Sequence, residues 1–275
     1  MIAYLDTNAF DHIYRKIGCT GADIANLRKA IYGRQLSIRL SIHTLEEILL
    51  GRKISPQAFA AQIKLTLSLA SSRMLLKSCA QLLLDDIRAY AARGEADRPF
   101  LRGDIQNAVA DGIAALIESD GEELEEDFLA VLDQARQDKQ GFFAALAHAG
   151  QEAETISRPA SGWTSFEHYF DAAALPALET MAEQAGVTAP CRERGLNGLL
   201  KIKSVRMSLC AALAPSYEQV TAGAAANSTT LPHAVSAAAV AEAFVSDVAA
   251  SREFVARLPI ESLNAISLPE FLKGL

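Results

Sequence analysis

Apolar and polar positions follow two different periods along this chain, and the places where the period changes mark its organisation. Met1 to Leu5, "MIAYL", is an apolar run of strand length, and Phe10 to Ile17 carries apolar residues at helical spacing. Thr20 to Tyr32 repeats the helical pattern through Ile24, Leu27 and Ile31, after which "LSIRLSI" alternates as a half-buried strand does. "HTLEEILLGRK" predicts the next helix, with Ser41 or Thr44 available as its cap. Two successive strand-then-helix units predict a parallel sheet.

From Ser55 the alternating pattern disappears. Ser55 stands at an N-cap position before Pro56, a residue suited to the first turn of a helix, and a long helical section opens there. "SCAQLLLDDIRAYAARG" predicts a helix closed by Gly94, and "RGDIQNAVADGIAALIES" another with Asp104 as a candidate cap. The acidic "GEELEEDFLAVLDQARQDKQGFFAALAHAGQEAE" continues the section, and nothing between Ser55 and Ala214 reads as a strand. The strand signal returns late. "LPHAVSAAAVAEAFVSD" predicts a helix running into a strand at Ala243 to Ser246, "ASREFVARL" a helix, and "NAISLPEFLKGL" a last strand with a short helix begun at Pro269. The pattern therefore predicts a discontinuous α/β domain, residues 1–53 and 225–275, interrupted by an all-helical insertion over 54–224.

Composition narrows the class. The chain has 275 residues, half of them hydrophobic, 7% aromatic, and a formal net charge of -7, which fits a helix-rich protein and argues against a generally basic, nucleic-acid-coating surface. Cys19, Cys79, Cys191 and Cys210 are far apart, so free thiols and a cytoplasmic location are expected. His12, His43, His148, His168 and His233 form no zinc-binding spacing. No apolar run is long enough to span a bilayer, and no Gly-rich phosphate loop such as G-x-G-x-x-G supports a small-molecule α/β enzyme.

The candidate chemistry lies at the strand ends. Asp6 follows the first strand, Glu46 and Glu47 fall on the expected first turn of the helix after the second, and Asp247 closes the third. Each has an ordinary alternative: Asp6, Asn8 and Asp247 as helix caps, the two glutamates as partners of a helix dipole. Together they place carboxylates on the edge where parallel α/β sheets bind their ligands.

These stretches carry a resemblance to the PIN-domain ribonucleases. "YLDTNAF" is similar to their first motif, a strand ending in Asp-x-Asn. "SIHTLEEILLG" is similar to the second, through Ser41, Thr44, Leu45, Glu47, Ile48 and Gly51. "PHAVSAAAVAEAFVSDVAASREFV" resembles the third region, and "ISLPEFLKGL" the usual ending. The resemblance implies a PIN-like parallel sheet whose carboxylates converge on Mg²⁺ or Mn²⁺, with hydrolysis of RNA phosphodiesters; hard divalent ions prefer oxygen ligands and activate water. It assigns Asp6 and Glu47 as metal ligands, Asp247 as a further acid, and Asn8 as a residue that orients Asp6 or holds a bound water. Ser41 belongs to the second motif, and Ser246 would contact substrate or a metal-bound water.

Two positions depart from the family pattern. Three residues before His233 stands Thr230, a hydroxyl where the family has Asp; aligning Ser246 with the Thr of Thr-x-Asp puts Val248 where an acid belongs. Two readings follow: a metal-dependent endoribonuclease, or a catalytically decayed PIN-like module that binds RNA or protein. The insertion would cover the cleft and shape RNA entry in the first, and hold a protein partner in the second. The basic segment "RERGLNGLLKIKSVR" offers Arg194, Lys201, Lys203 and Arg206 as RNA contacts. Asp85 and Asp86 interrupt an apolar run and read as a solvated helix face or as substitute acids.

Overall fold

The computed structural model describes residues 1–50, 56–70, 74–157, 165–221, 230–258, 260 and 263–275, without side chains at 50, 153–157, 215–221 and 230. Strands β1 (Ile2–Leu5), β2 (Ser37–Arg39), β3 (Ala243–Val245) and β4 (Asn264–Ile266) form one parallel sheet in the order β2-β1-β3-β4. Ala3 is in register with Ile38 on one side and Ala243 on the other, so the chain's first strand is central. The α/β class and the parallel sheet agree with the pattern read from the chain, and β1 pairs with both β2 and β3.

Helices α1 (Thr7–Arg15), α2 (Gly21–Tyr32) and α3 (Ile42–Leu50) belong to the N-terminal part. The middle holds α4 (Pro56–Leu69), α5 (Cys79–Arg93), α6 (Gly103–Glu118), α7 (Glu126–Ser157), α8 (Phe166–Gln184), α9 (Thr188–Arg194) and α10 (Lys203–Thr221). The tail adds α11 (Thr230–Val240), α12 (Ala249–Arg257) and α13 (Leu268–Lys273). Their ends follow local chemistry. Thr20 and Asp23 form a capping box at α2, Ser267 and Glu270 another at α13, Ser78 caps α5, and Gly94 ends α5 in the left-handed region at φ 81°.

Some boundaries differ from expectation. α1 starts at Thr7 and not at Phe10, because Asp6 accepts the Ala9 N–H and so opens the helix early. Asp104 lies inside the first turn of α6, whose N-cap position is Arg102 with no side-chain bond, so Asp104 is not the cap. Ser55 lies outside the described residues. Among those residues the middle section adds no strand to the sheet. It makes a single-residue bridge instead: Leu76 donates to the Leu40 carbonyl and accepts from Ile42 N–H, covering the edge beside β2.

The period of two along the strands sorts the core. Tyr4 and Phe244 turn to one face and pack with buried residues of α5, α7, α8, α10 and α11; Ala3, Leu5, Ile38, Ala243 and Val245 turn to the other, with α1, α3, α4, α6 and α13. Each hydrophobic cluster draws on both the sheet and the helical section. The helical section thus covers the sheet instead of standing apart from it. Among the described residues no helix is long and apolar enough to cross a membrane.

Candidate functional site

β1 ends at Leu5, and the Asp6 N–H continues the ladder to the Val245 carbonyl at 3.0 Å. Its carboxyl turns inward. Oδ1 accepts the Ala9 N–H at 2.8 Å, and Ser246, at the end of β3, hydrogen-bonds to the same carboxyl. Ser246 is fully buried and accepts the Val248 N–H at 3.2 Å, so its hydroxyl proton is free for Asp6. Burial pushes the Asp6 pKa above its usual value; Ser246, His233 and Ala9 oppose this, and the nearby Glu47 charge adds to it.

Glu46 and Glu47 do not sit on the first turn of α3, which begins at Ile42 and holds no acidic residue there. Their charges are answered by side chains, not by the helix dipole. Thr7 Oγ1 donates to Glu47 at 2.7 Å, His233 Nε2 approaches the same oxygen at 2.9 Å, and Lys139 Nζ of α7 lies 3.2 Å from the other. The same ammonium pairs with Glu46 Oε2 at 2.7 Å, with Arg136 Nε 4.0 Å from Oε1. His43 Nε2 accepts the Cys79 N–H at 2.9 Å, which puts its proton on Nδ1, 3.8 Å from Glu46.

His233 is enclosed and bonded at both nitrogens. Its Nδ1 meets the Tyr4 hydroxyl at 2.7 Å, and that hydroxyl meets Ser41 Oγ at 2.7 Å and Thr44 Oγ1 at 3.3 Å. Burial alone would favour the neutral ring, but Tyr4 and the Glu47 carboxylate outweigh it and raise the pKa to about 10. Protonated at neutral pH, the ring donates to Tyr4 and to Glu47. Burial would likewise raise Glu47, yet His233, Lys139 and Thr7 hold it well below the usual carboxylate range. Lys139 is raised against its own burial by Glu46 and Glu47. Two anions, Glu46 and Glu47, therefore face Lys139 and His233, with Arg136 beside Glu46.

The third expected acid is elsewhere engaged. Asp247 Oδ2 pairs with His12 Nδ1 at 2.5 Å and Oδ1 accepts the Leu268 N–H at 2.9 Å, tying α1 to the start of α13. Thr230 opens α11, its side chain outside the description, and Val248 is the N-cap residue of α12. Asn8 is exposed on the first turn of α1. Among the described residues no group of three or more His, Cys, Asp and Glu side chains is placed to hold a metal ion. A Mg²⁺ or Mn²⁺ ion prefers carboxylates and waters around it. Here Lys139 and His233 already lie against the carboxylate oxygens it would need, so the residues as arranged do not fit such an ion.

The basic segment is largely spent on structure. Arg194 donates to the Ala91 and Ala92 carbonyls at 2.7 Å each, closing the end of α5, and Arg206 lies over the Phe170 ring. Lys201 and Lys203 are exposed and line a cleft of about 460 Å³ with Asp86, Tyr90 and Ser204, away from the acidic pocket. Asp86 is no solvated residue: it is buried, accepting from the Asp97 N–H and from the Ser204 hydroxyl.

Four members of the pocket were invisible as such in the sequence: Tyr4, Thr7, Lys139 and His233. Thr7 stands inside the Asp-x-Asn stretch and His233 in the third motif, so a signal existed for both. Lys139 sits in an ordinary charged helix and had none. No protein-family model matches this chain, and comparison with curated proteins and with solved structures finds no similar protein.

Proposed function

We propose that this chain is a PIN-like module that acts by binding a protein partner and not by hydrolysing RNA. The PIN-like part of the reading is supported by the parallel order β2-β1-β3-β4, with Asp6 and Ser246 side by side at the ends of its central strands. The non-hydrolytic part rests on one observation: both oxygens of Asp247 are bonded to His12 and Leu268. With Thr230 and Val248 at the other two acidic positions, Asp6 and Glu47 alone keep the residue types that the chemistry calls for. A hydroxyl or an isopropyl group is a poor substitute for a charged ligand of a hard cation.

A protein is favoured over RNA as the partner by charge. The net charge is -7, Arg194 and Arg206 are engaged internally, and Glu122, Glu123 and Glu125 after α6 are exposed together with Glu126 and Asp127 on the first turn of α7. Such a surface repels a polyanion and steers a basic protein surface toward itself. The test is incubation of a mixed single-stranded RNA pool with Mn²⁺ and wild type or Asp6→Asn, alongside RNA binding by fluorescence anisotropy. Expected are no cleavage above background in either protein and weak binding that disappears with added salt. Cleavage by wild type that vanishes in Asp6→Asn overturns this reading and reinstates the endoribonuclease.

A further inference from the structure

The N-terminal part of this acidic chain is basic. Between His12 and Ile42 stand six Arg and Lys residues and one acid, Asp23, which is held in the capping box of α2 with Thr20. Arg15 is answered by Asp11 and Arg39 lies over the Phe100 ring, but Arg28, Lys29 and Arg34 are exposed and join no ion pair among the described residues. Leu27 and Ala30 are the buried side of α2, which leaves Arg28, Lys29 and Tyr32, at spacings of three and four, together on its outer face. Tyr32 is 78% exposed, more than any other large hydrophobic side chain among the described residues.

The opposite charge is displayed elsewhere on the same chain. The stretch "ESDGEELEED", residues 118 to 127, has seven acids in ten positions, all exposed, and Glu123, Glu125, Glu126 and Asp127 pair with no cation among the described residues. Nor does any ion pair among those residues join this segment to α2. Complementary surfaces that do not neutralise each other within one molecule can do so between two.

We infer that the outer face of α2 docks the acidic segment 118–127 of a second copy of this chain, with Tyr32 as the apolar anchor. This deepens the reading of a protein-binding module, and rests on it, by naming the partner. Charge steers the encounter and fixes the register, whereas affinity comes from desolvated anchors, of which Tyr and Arg are the most effective. The general repulsion between two chains of charge -7 is screened beyond a Debye length of about 8 Å at physiological salt, and groups in contact lie closer than that. Because the two surfaces differ, the contact is head-to-tail: a bound pair keeps one free basic face and one free acidic segment, and growth continues unless a ring closes.

The experiment is sedimentation equilibrium of the full-length chain at about 0.1 M and about 0.5 M NaCl, with circular dichroism to verify folding. The variants are Arg28→Glu with Lys29→Glu, Glu125→Lys with Glu126→Lys, and Tyr32→Ser, all at exposed positions. Arg28→Gln with Lys29→Gln replaces the first should the reversal disturb α2. For wild type, the expected mass rises with concentration beyond that of the monomer in the lower salt and returns to the monomer in the higher. Tyr32→Ser should associate about tenfold more weakly. Each charge variant alone should be monomeric, and mixing the two should restore association. A wild type that stays monomeric, association that persists in the higher salt, or association untouched by the α2 variants overturns the inference. So does RNA binding by a monomeric chain that is lost on reversing Arg28 and Lys29, which gives the face to a polyanion. RNA cleavage abolished by Asp6→Asn is the separate failure of the binding-module reading, and it leaves the measured mass as it is.

Discussion

Two lysines in this protein, Lys77 with 6% of its side chain exposed and Lys139 with 17%, each sit between two carboxylates, and they do different work. Lys77 reaches Asp85 and Asp97 at 2.7 Å each, residues 8 and 20 positions along the chain. Lys139 reaches Glu46 and Glu47, with the latter 92 positions away. The first cluster is local. It fixes the turn after α5 against the start of the same helix, and its acids stay a quarter to a third exposed, Asp85 at 25% and Asp97 at 33%. The second fastens a helix of the middle section to the sheet edge, and Glu46 is 5% exposed. The acids of the first cluster are the more open to water, since Glu47 is 19% exposed and Glu46 less, although the Lys77 side chain is itself more enclosed than Lys139.

That difference orders the expected effects. Replacing Glu47 with Gln leaves the buried His233 ring and the Lys139 ammonium short of a counter-charge, and breaking a buried pair in this way costs about 3–5 kcal/mol. Urea unfolding should show it, with α7 losing amide-exchange protection together with the sheet; a loss confined to α3 would break the comparison. The pH profile of stability reads the same pair. Glu47, lowered in the folded state, contributes above its ordinary value of 4.5 and loses that contribution as the pH falls. His233, raised to about 10, contributes fully below 6.5 and loses it as the pH rises through its folded value. Asp6, raised by burial, has the opposite sign to Glu47 and offsets part of the acid loss. Stability should therefore be greatest near pH 4.5–6.5 and decline on both sides, and a flat profile up to pH 10 would remove the imidazolium from the pocket.

Smaller effects belong to the local cluster and to caps. Lys77→Met should cost about 1–3 kcal/mol, because Asp85 and Asp97 regain water, with faster amide exchange limited to residues 94–101. An effect as large as that of Glu47→Gln would show that the exposure of the acids does not separate the two clusters. Ser78→Ala removes the α5 cap and a bond to Asp138, worth roughly 1 kcal/mol by thermal unfolding. Asp6→Asn should lie within about 1 kcal/mol of wild type, since Asn caps helices as well as Asp and relieves a buried carboxyl of its charge.

What the sequence revealed follows the range of the interaction responsible. The strands, the helical spans of α2 and α5 and the Gly94 stop depend on residues a few positions apart, and each was legible, whereas the caps Thr20 and Ser78 were not read. The place of Asp6 at the end of the first strand was legible too, because a strand's end is a local event; Glu47 was read on the first turn of α3 and lies beyond it. The pocket's cations were not, since Lys139 and His233 reach Glu47 across 92 and 186 positions. Asp247 shows the converse: its place at the end of a strand was read correctly, but His12, from 235 positions away, decides what its carboxylate does. Asp86 was mistaken for a solvated residue because Ser204, its partner on α10, lies 118 positions on.

The central place of β1 governs how the protein must be assembled during synthesis. β1 and β2, the latter ending at Arg39, leave the ribosome well before the strand that pairs with the other side of β1, which begins at Ala243. At roughly 5–20 residues per second, ten seconds or more pass with the "IAYL" backbone open along that side. An unpaired apolar strand is a template for pairing with another chain. The intervening helices, made of local contacts, fold in that interval and cover the faces of the unfinished sheet, but they do not fill the gap beside β1. Closure waits for β3, so the nascent chain before β3 emerges, and not the finished protein, carries an unpaired strand edge beside β1.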